Sequence, residues 1–170
     1  MITPGYASTM ARYNRWQNES LFREAGRLSD DERRLQRGAF FGSINGTLNH
    51  IYWGDCMWLS RFGVVDRPRS PNGKASIDEF PRFEDLAAAR PVLDAKIIAW
   101  ADALTPEVVA RDLIWWSGLQ NKNMSRPTGL AIAHIFNHQT HHRGQVHAML
   151  TAAGAKPDDT DVVFMPGVVD

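Results

Sequence analysis

Apolar residues recur at three- and four-residue steps in four separate stretches, which predicts four helices. In residues 6–28, Met10, Asn14, Gln17, Leu21, Ala25 and Leu28 share one face. That face is not purely apolar, because Asn14 and Asn18 lie on it. Ser29-Asp30-Asp31-Glu32 then reads as a helix start signal or a short turn. In residues 41–62, Ile44, Leu48, Ile51, Trp58, Leu59 and Phe62 form one stripe with Asp55 in its middle. Gly46, His50, Trp53 and Met57 form a second stripe. A helix apolar on two sides must be covered on two sides, and a partner subunit is one source of the second cover.

The third helix is predicted over residues 83–104, with Leu86, Leu93, Ile97, Trp100 and Leu104 facing inward. Pro91 either kinks it or marks where its regular part begins. The fourth runs from a cap at Thr128 or Ser125 to Ala153, where Gly154 supplies the stop. Residues 63–81 carry turn chemistry throughout, as in DRPRSPNGKAS. Residues 105–127 are mixed: DLIWWSG suits a short strand, and GLQNKNMSRP allows a small hairpin between helices three and four. The tail reads as extended, with Val162, Val163 and Phe164 packed on the helices. These elements predict an all-α single domain over residues 1–170, a four-helix bundle with room for a short hairpin.

Composition narrows this picture only a little. A chain of 170 residues with 44% apolar and 22% charged side chains can bury a core as one domain. The formal net charge is zero and no dense Lys/Arg block occurs, which argues against a nucleic-acid partner. Cys56 is the single cysteine, so no internal disulfide forms. In WGDCMWL it reads as a packed core thiol rather than a nucleophile. The N-terminal stretch lacks the apolar core of a signal peptide, and no run is long enough to span a membrane. The expectation is a soluble, cytoplasmic protein.

The chemistry concentrates in HIFNHQTHHRGQVHAML, residues 134–150, which holds five of the six histidines. With His138 at zero on a helical projection, the apolar face is centred between about 20° and 80°. His142 falls at about 40°, inside that face, and His138 at its edge. This i, i+4 pair points inward and can converge on one ion, as paired histidines do in helical zinc motifs. His134 and His141 lie on the flank. His147 falls on the far side and reads as a surface residue, while Gln145 lies near the inward face.

Burying two imidazoles without partners is costly, which favours a metal over silent core histidines. A catalytic site of the zinc type normally has three protein ligands and one open position. His50, on the second apolar face of another helix, and Asp55, in the main stripe, are the candidates for the third. Asp55 otherwise orients a histidine or pairs with an arginine such as Arg143. Asn14 and Asn18 can hydrogen-bond into the same space. Trp53, Trp58, Trp115 and Trp116 read as core, interface or pocket-lining residues.

HIFNHQTHHRGQVHAML closely resembles the last-helix signature of the DinB (damage-inducible, DinB/YfiT-like) family, a histidine pair running into His-Arg-Gly-Gln. FFGSINGTLNHIYWGDCMWLSRF is similar to that family's second-helix segment, YNRWQNESL to its first-helix pattern, and TDVVFMPG to its closing segment. The resemblance spans nearly the whole chain. It implies a four-helix bundle, commonly dimeric, that binds a divalent metal through three histidines, here His50, His138 and His142. Asp55 then becomes a supporting residue, beside Asn14, Asn18 and Gln145. Zinc and nickel are the expected ions.

Related proteins include thiol-dependent S-transferases and isomerases that use low-molecular-weight thiols. The resemblance therefore implies a metal-dependent enzyme on a small-molecule substrate, S-transferase-like with an external thiol or hydrolase-like. His141 or His134 would be the base. The alternative is a non-catalytic metal-binding dimer of the stress-response kind, which a fourth protein ligand would favour. A DNA-binding repair factor is the least supported reading.

Overall fold

The computed structural model describes residues 2–118 and 120–167. It is mostly helical, with one two-stranded antiparallel sheet. The long helices are α1 (Pro4–Gly26), α3 (Ile44–Arg61), α4 (Phe83–Asp102) and α6 (Thr128–Ala152). Two short helices, α2 (Asp30–Arg34) and α5 (Pro106–Ala110), lie in the connections. Strands β1 (Asp112–Ser117) and β2 (Lys122–Pro127) form a hairpin between α4 and α6. Helix α1 packs against α4 and α6, and α3 packs against α6. No helix among the described residues is long and apolar enough to cross a membrane.

Local signals account for most helix starts. Thr3 accepts the Tyr6 amide ahead of Pro4, and Ser43 accepts the Gly46 amide at the start of α3. Ser29 and Glu32 form a reciprocal capping box, so SDDE opens α2. Helix α4 begins at Phe83 and runs unbroken through Pro91. Pro91 therefore does not mark the start of regular helix. At the entry to α6, Ser125 lies inside β2 and bonds Asp112, and Thr128 is already helical. Neither residue caps the helix by its side chain. The hairpin, tied on by the Thr128 amide to the Arg111 carbonyl, sets that start instead.

The core has two apolar halves with a polar layer between them. One half gathers Ala7, Ala11, Leu59, Leu93, Ile97, Ile132 and Phe136. The other gathers Leu21, Ala25, Ile44, Leu48, Leu86, Val146 and Leu150. On each long helix the polar residues fall between the two sets: Asn14 and Asn18, Asp55, Arg90 and Asp94, Gln139 and Arg143.

Arg90 bonds Asp55 at 2.7 Å and Asp94 at 2.8 Å. Gln139 donates to the other Asp55 oxygen at 2.7 Å. Asn14 and Asn18 donate to Asp94 at 3.2 and 3.0 Å, and Arg143 donates to the Asn14 oxygen. Asp55 and Asp94 thus share the Arg90 guanidinium at mid-height, which is how buried charges are tolerated, and Arg143 joins them through Asn14.

The second face of α3 packs on the chain's own 3-10 turn, Ala75–Asp78, and leaves Trp53 and Met57 half-buried. One expectation about cover needs correction. Val162, Val163 and Phe164 form a 3-10 turn and stay exposed, while the next residue, Met165, is the one buried. The tail is held instead by polar contacts: Tyr13 to the Thr160 carbonyl, Gln17 to the Asp159 carbonyl, and the Asp158 amide to Ser20.

Candidate metal centre

His138 and His142 stand one turn apart on α6, and His50 reaches them from α3. Their ligand atoms all lie within 4.8 Å of one another. The Nε2 atoms of His50 and His138 are 3.0 Å apart. Nitrogens that share an ion at about 2.0–2.1 Å stand no more than about 4 Å apart. The closest pair stands inside that limit, and the whole set spans at most 4.8 Å.

Proton positions can be read from the neighbours. The Ser76 hydroxyl donates its one proton to the Gly73 carbonyl at 2.6 Å. At 2.8 Å from His50 Nδ1, Ser76 can then only accept. The His50 proton is therefore on Nδ1, and its Nε2 lone pair faces the cluster. His142 follows the same logic: Nδ1 donates to Gln145 Oε1 at 2.9 Å, leaving Nε2 free. Gln145 in turn donates to His141 Nε2 at 3.3 Å. Such partners fix the tautomer that a ligand histidine needs. Between His50 and His138 there is room for one proton or one cation.

Packing fixes the rings. Phe41 stacks on His50 with centroids 3.7 Å apart, and the Trp53 ring lies near-parallel to it at 5.6 Å. Gly54 lets His138 approach α3: a Cβ there would stand 2.8 Å from His138 Cε1, closer than real contacts allow. Burial lowers the His50 pKa to about 3, helped by the charges His138 and His142 would carry. Burial likewise lowers His138 to about 4. His142 is lowered by burial against the opposing pull of Gln145. All three rings are thus neutral near pH 7, the form in which imidazole binds metals. By donor chemistry, tautomer and span, these residues fit a divalent ion.

The other residues marked in the sequence divide by position. Gln145 holds His142, as described. Asp55, Asn14 and Asn18 make no hydrogen bond to the histidines; Asp55 bonds Arg90 and Gln139, and the two asparagines donate to Asp94. Asp55 pairs with Arg90 rather than Arg143. His141 is exposed, with its ring 4.9 Å from that of His142. His134 is 5.7 Å from His138 and 4.7 Å from Trp58. His147 is partly exposed and lines the groove formed by Tyr13, Gln17 and Arg143, away from the three histidines.

Trp58 and Trp115 meet at 5.7 Å, whereas Trp116 faces outward, 57% exposed. Cys56 is buried and its thiol is pushed up to about 12 by desolvation. Periodicity had no means of finding Ser76 or Phe41, which sit in segments without a helical repeat. Gly54 leaves a sequence trace only as a small residue one turn after His50.

Fold and site together define a mostly helical protein in which three imidazoles from two helices converge as a candidate metal centre. The model of the DinB family matches residues 1–167, and the chain belongs to that family. It is 25% identical over 170 residues to Protein DinB of Bacillus subtilis (strain 168), covering 92% of this chain and 91% of that protein. No solved structure matches it significantly.

Proposed function

We propose that this protein is a metal-dependent enzyme acting on a small molecule, built as a DinB-type four-helix bundle. His50, His138 and His142 hold the divalent ion, with zinc or nickel suited to three imidazoles. The observation that carries this reading is the convergence of three imidazoles, two of which have their Nδ1 protons tied to Ser76 and Gln145. Among the described residues the cluster has three members and no fourth protein ligand, which favours an open position over a closed structural site. An ion held this way supplies Lewis acidity, lowering the pKa of a water or thiol at its open position.

The chain's own residues supply the rest. Ser76 and Gln145 orient the ligand rings, and Phe41 and Trp53 shield His50 from water. His134 is the candidate base: partial desolvation and the neighbouring Arg61 lower its pKa, so it is neutral near pH 7 and able to take a proton. The Nε2 lone pair of His141 already accepts from Gln145, so His141 steadies His142 through that amide. Cys56 is too buried to act as a thiolate, so S-transfer chemistry requires a thiol from outside. Hydrolysis of an activated ester is the companion reaction. A cytoplasmic homodimer without nucleic-acid or membrane partners is the assembly this reading includes.

Elemental analysis of the purified protein, with turnover of a generic electrophile or ester with and without small thiols, tests the proposal. The expected result is one divalent ion per chain and turnover that His142→Ala abolishes together with the metal. Full metal content in His142→Ala overturns the ligand set. A fully loaded protein inert to every thiol and ester is the result that favours the non-catalytic reading.

A further inference from the structure

Two turns beyond Gly54, α3 ends in Arg61. Its guanidinium carbon lies 4.0 Å from the Trp58 ring centroid and 4.9 Å from that of Trp115. One indole comes from α3 and the other from β1, and together they form a corner that holds the guanidinium plane. Arg12, Arg23, Arg27, Arg34 and Arg90 each hold a carboxylate at 2.9 Å or less. Arg61, like Arg37, Arg67, Arg111, Arg126 and Arg143, has no carboxylate within reach among the described residues; what sets it apart is its seat on two indoles, and the charge that bears on it is another cation, Arg67. A fixed, partly desolvated guanidinium with its N–H fork unused is suited to bidentate capture of an oxyanion.

Its position links it to the histidines. Trp58 packs on His134 at 4.7 Å, and His134 neighbours His138 at 5.7 Å. Gly54 and Arg61 are about 10 Å apart along the helix axis. The arginine side chain lies back over Trp58, one turn nearer the centre, as helical side chains do. We infer that Arg61 anchors the anionic end, a carboxylate or comparable oxyanion, of an elongated small molecule whose reactive end lies at the three histidines. This rests on the reading of that centre given above, and it adds the charge and shape of the substrate class. The competing role for Arg61 is a purely structural pin between α3 and the hairpin.

Tryptophan fluorescence of the zinc-loaded protein, titrated with mercaptohexanoate, its uncharged analogue mercaptohexanol, and hexanoate, tests the inference. Mercaptohexanoate is expected to bind at least about tenfold more tightly than mercaptohexanol. Arg61→Met removes that preference while metal content and mercaptohexanol binding stay as they were, and Arg61→Lys keeps part of it. Hexanoate separates the two readings. A response to it that Arg61→Met loses and His142→Ala keeps supports the anchor even where neither thiol binds at the histidines. Retention of the preference in Arg61→Met overturns the anchor. So does equal weakening of both thiols, the outcome of a structural pin, or the lack of any Arg61-dependent response to either carboxylate.

Discussion

Two polar clusters share the middle of this molecule, and they are built on opposite principles. In the layer around Asp55, the carboxylates meet donors on other helices: Arg90, Gln139, Asn14 and Asn18. In the histidine centre next door, the ring nitrogens converge on one another. Both are largely buried, with only His138 partly open, and both join α3 to α6, so burial of polar groups does not separate structure from function here. What separates them is direction. The first cluster spends its carboxylate oxygens on donors within the protein, and the second turns its lone pairs toward a shared point. The orienting bonds of Ser76 and Gln145 make that point a property of the fold.

The largest effect should come from breaking the closed cluster. Asp55→Ala leaves Arg90 and Gln139 facing an empty site and should destabilise the protein by about 3–5 kcal/mol, read by chemical denaturation. Any fraction that still folds should keep its metal content. A variant that lost metal while keeping its stability would merge the two clusters and undo the distinction.

Gly54→Ala attacks the open cluster from below. The added methyl meets the His138 ring at 2.8 Å. Metal affinity, measured by competition with a chromophoric chelator, should fall by about tenfold or more, the order of a disturbed ligand orientation. Unchanged affinity would mean that the ring has another seat.

Ser76→Ala is milder. It removes the acceptor that fixes the His50 tautomer and should weaken metal binding by about tenfold at most, the low end for such a partner, with little change in the melting temperature of the metal-free protein. Ser76→Thr, which keeps the hydroxyl, should recover much of the loss.

The last contrast is a pH slope, which leaves the protein at neutral pH untouched. His50 and His138 have folded pKa values of about 3 and about 4, below the ordinary value of 6.5. Between those limits the unfolded chain binds more protons than the folded one, so stability rises with pH. Melting of the metal-free protein should therefore weaken as pH falls from about 6.5 toward about 4. His50→Gln should flatten that slope, and an identical slope in the variant would assign it to other groups.

How much of this could be read in the sequence follows from which residues repeat. The four long helices announce themselves because Leu21, Leu48, Ile97 and Ile132 fall on repeating faces, and a face needs several turns to show. The i, i+4 spacing of His138 and His142 is legible for the same reason. Single-helix periodicity left His50 and Asp55 as alternatives, since each lies on an apolar stripe of α3. Only the placement of α6 and the 3-10 turn decides which side of α3 faces the histidines. Ser76, Phe41 and the Arg61–Trp115 contact join segments far apart in sequence, or lie in loops where no period exists. The exposed Val162 and Phe164 show the converse: three apolar residues in a row need not be buried when the backbone around them is held by polar contacts.

The mid-height layer has one more consequence. Asp55 and Gln139 are the immediate neighbours of Gly54 and His138, so the bond between them keys the two helices to a single alignment. A slip of one turn, about 5.4 Å, would strand a carboxylate in oil and lift the His138 ring off its glycine seat in the same movement. Correct assembly and the capacity to take up an ion are thus checked by one lock, and a chain that mates its helices out of step announces the error by arriving empty.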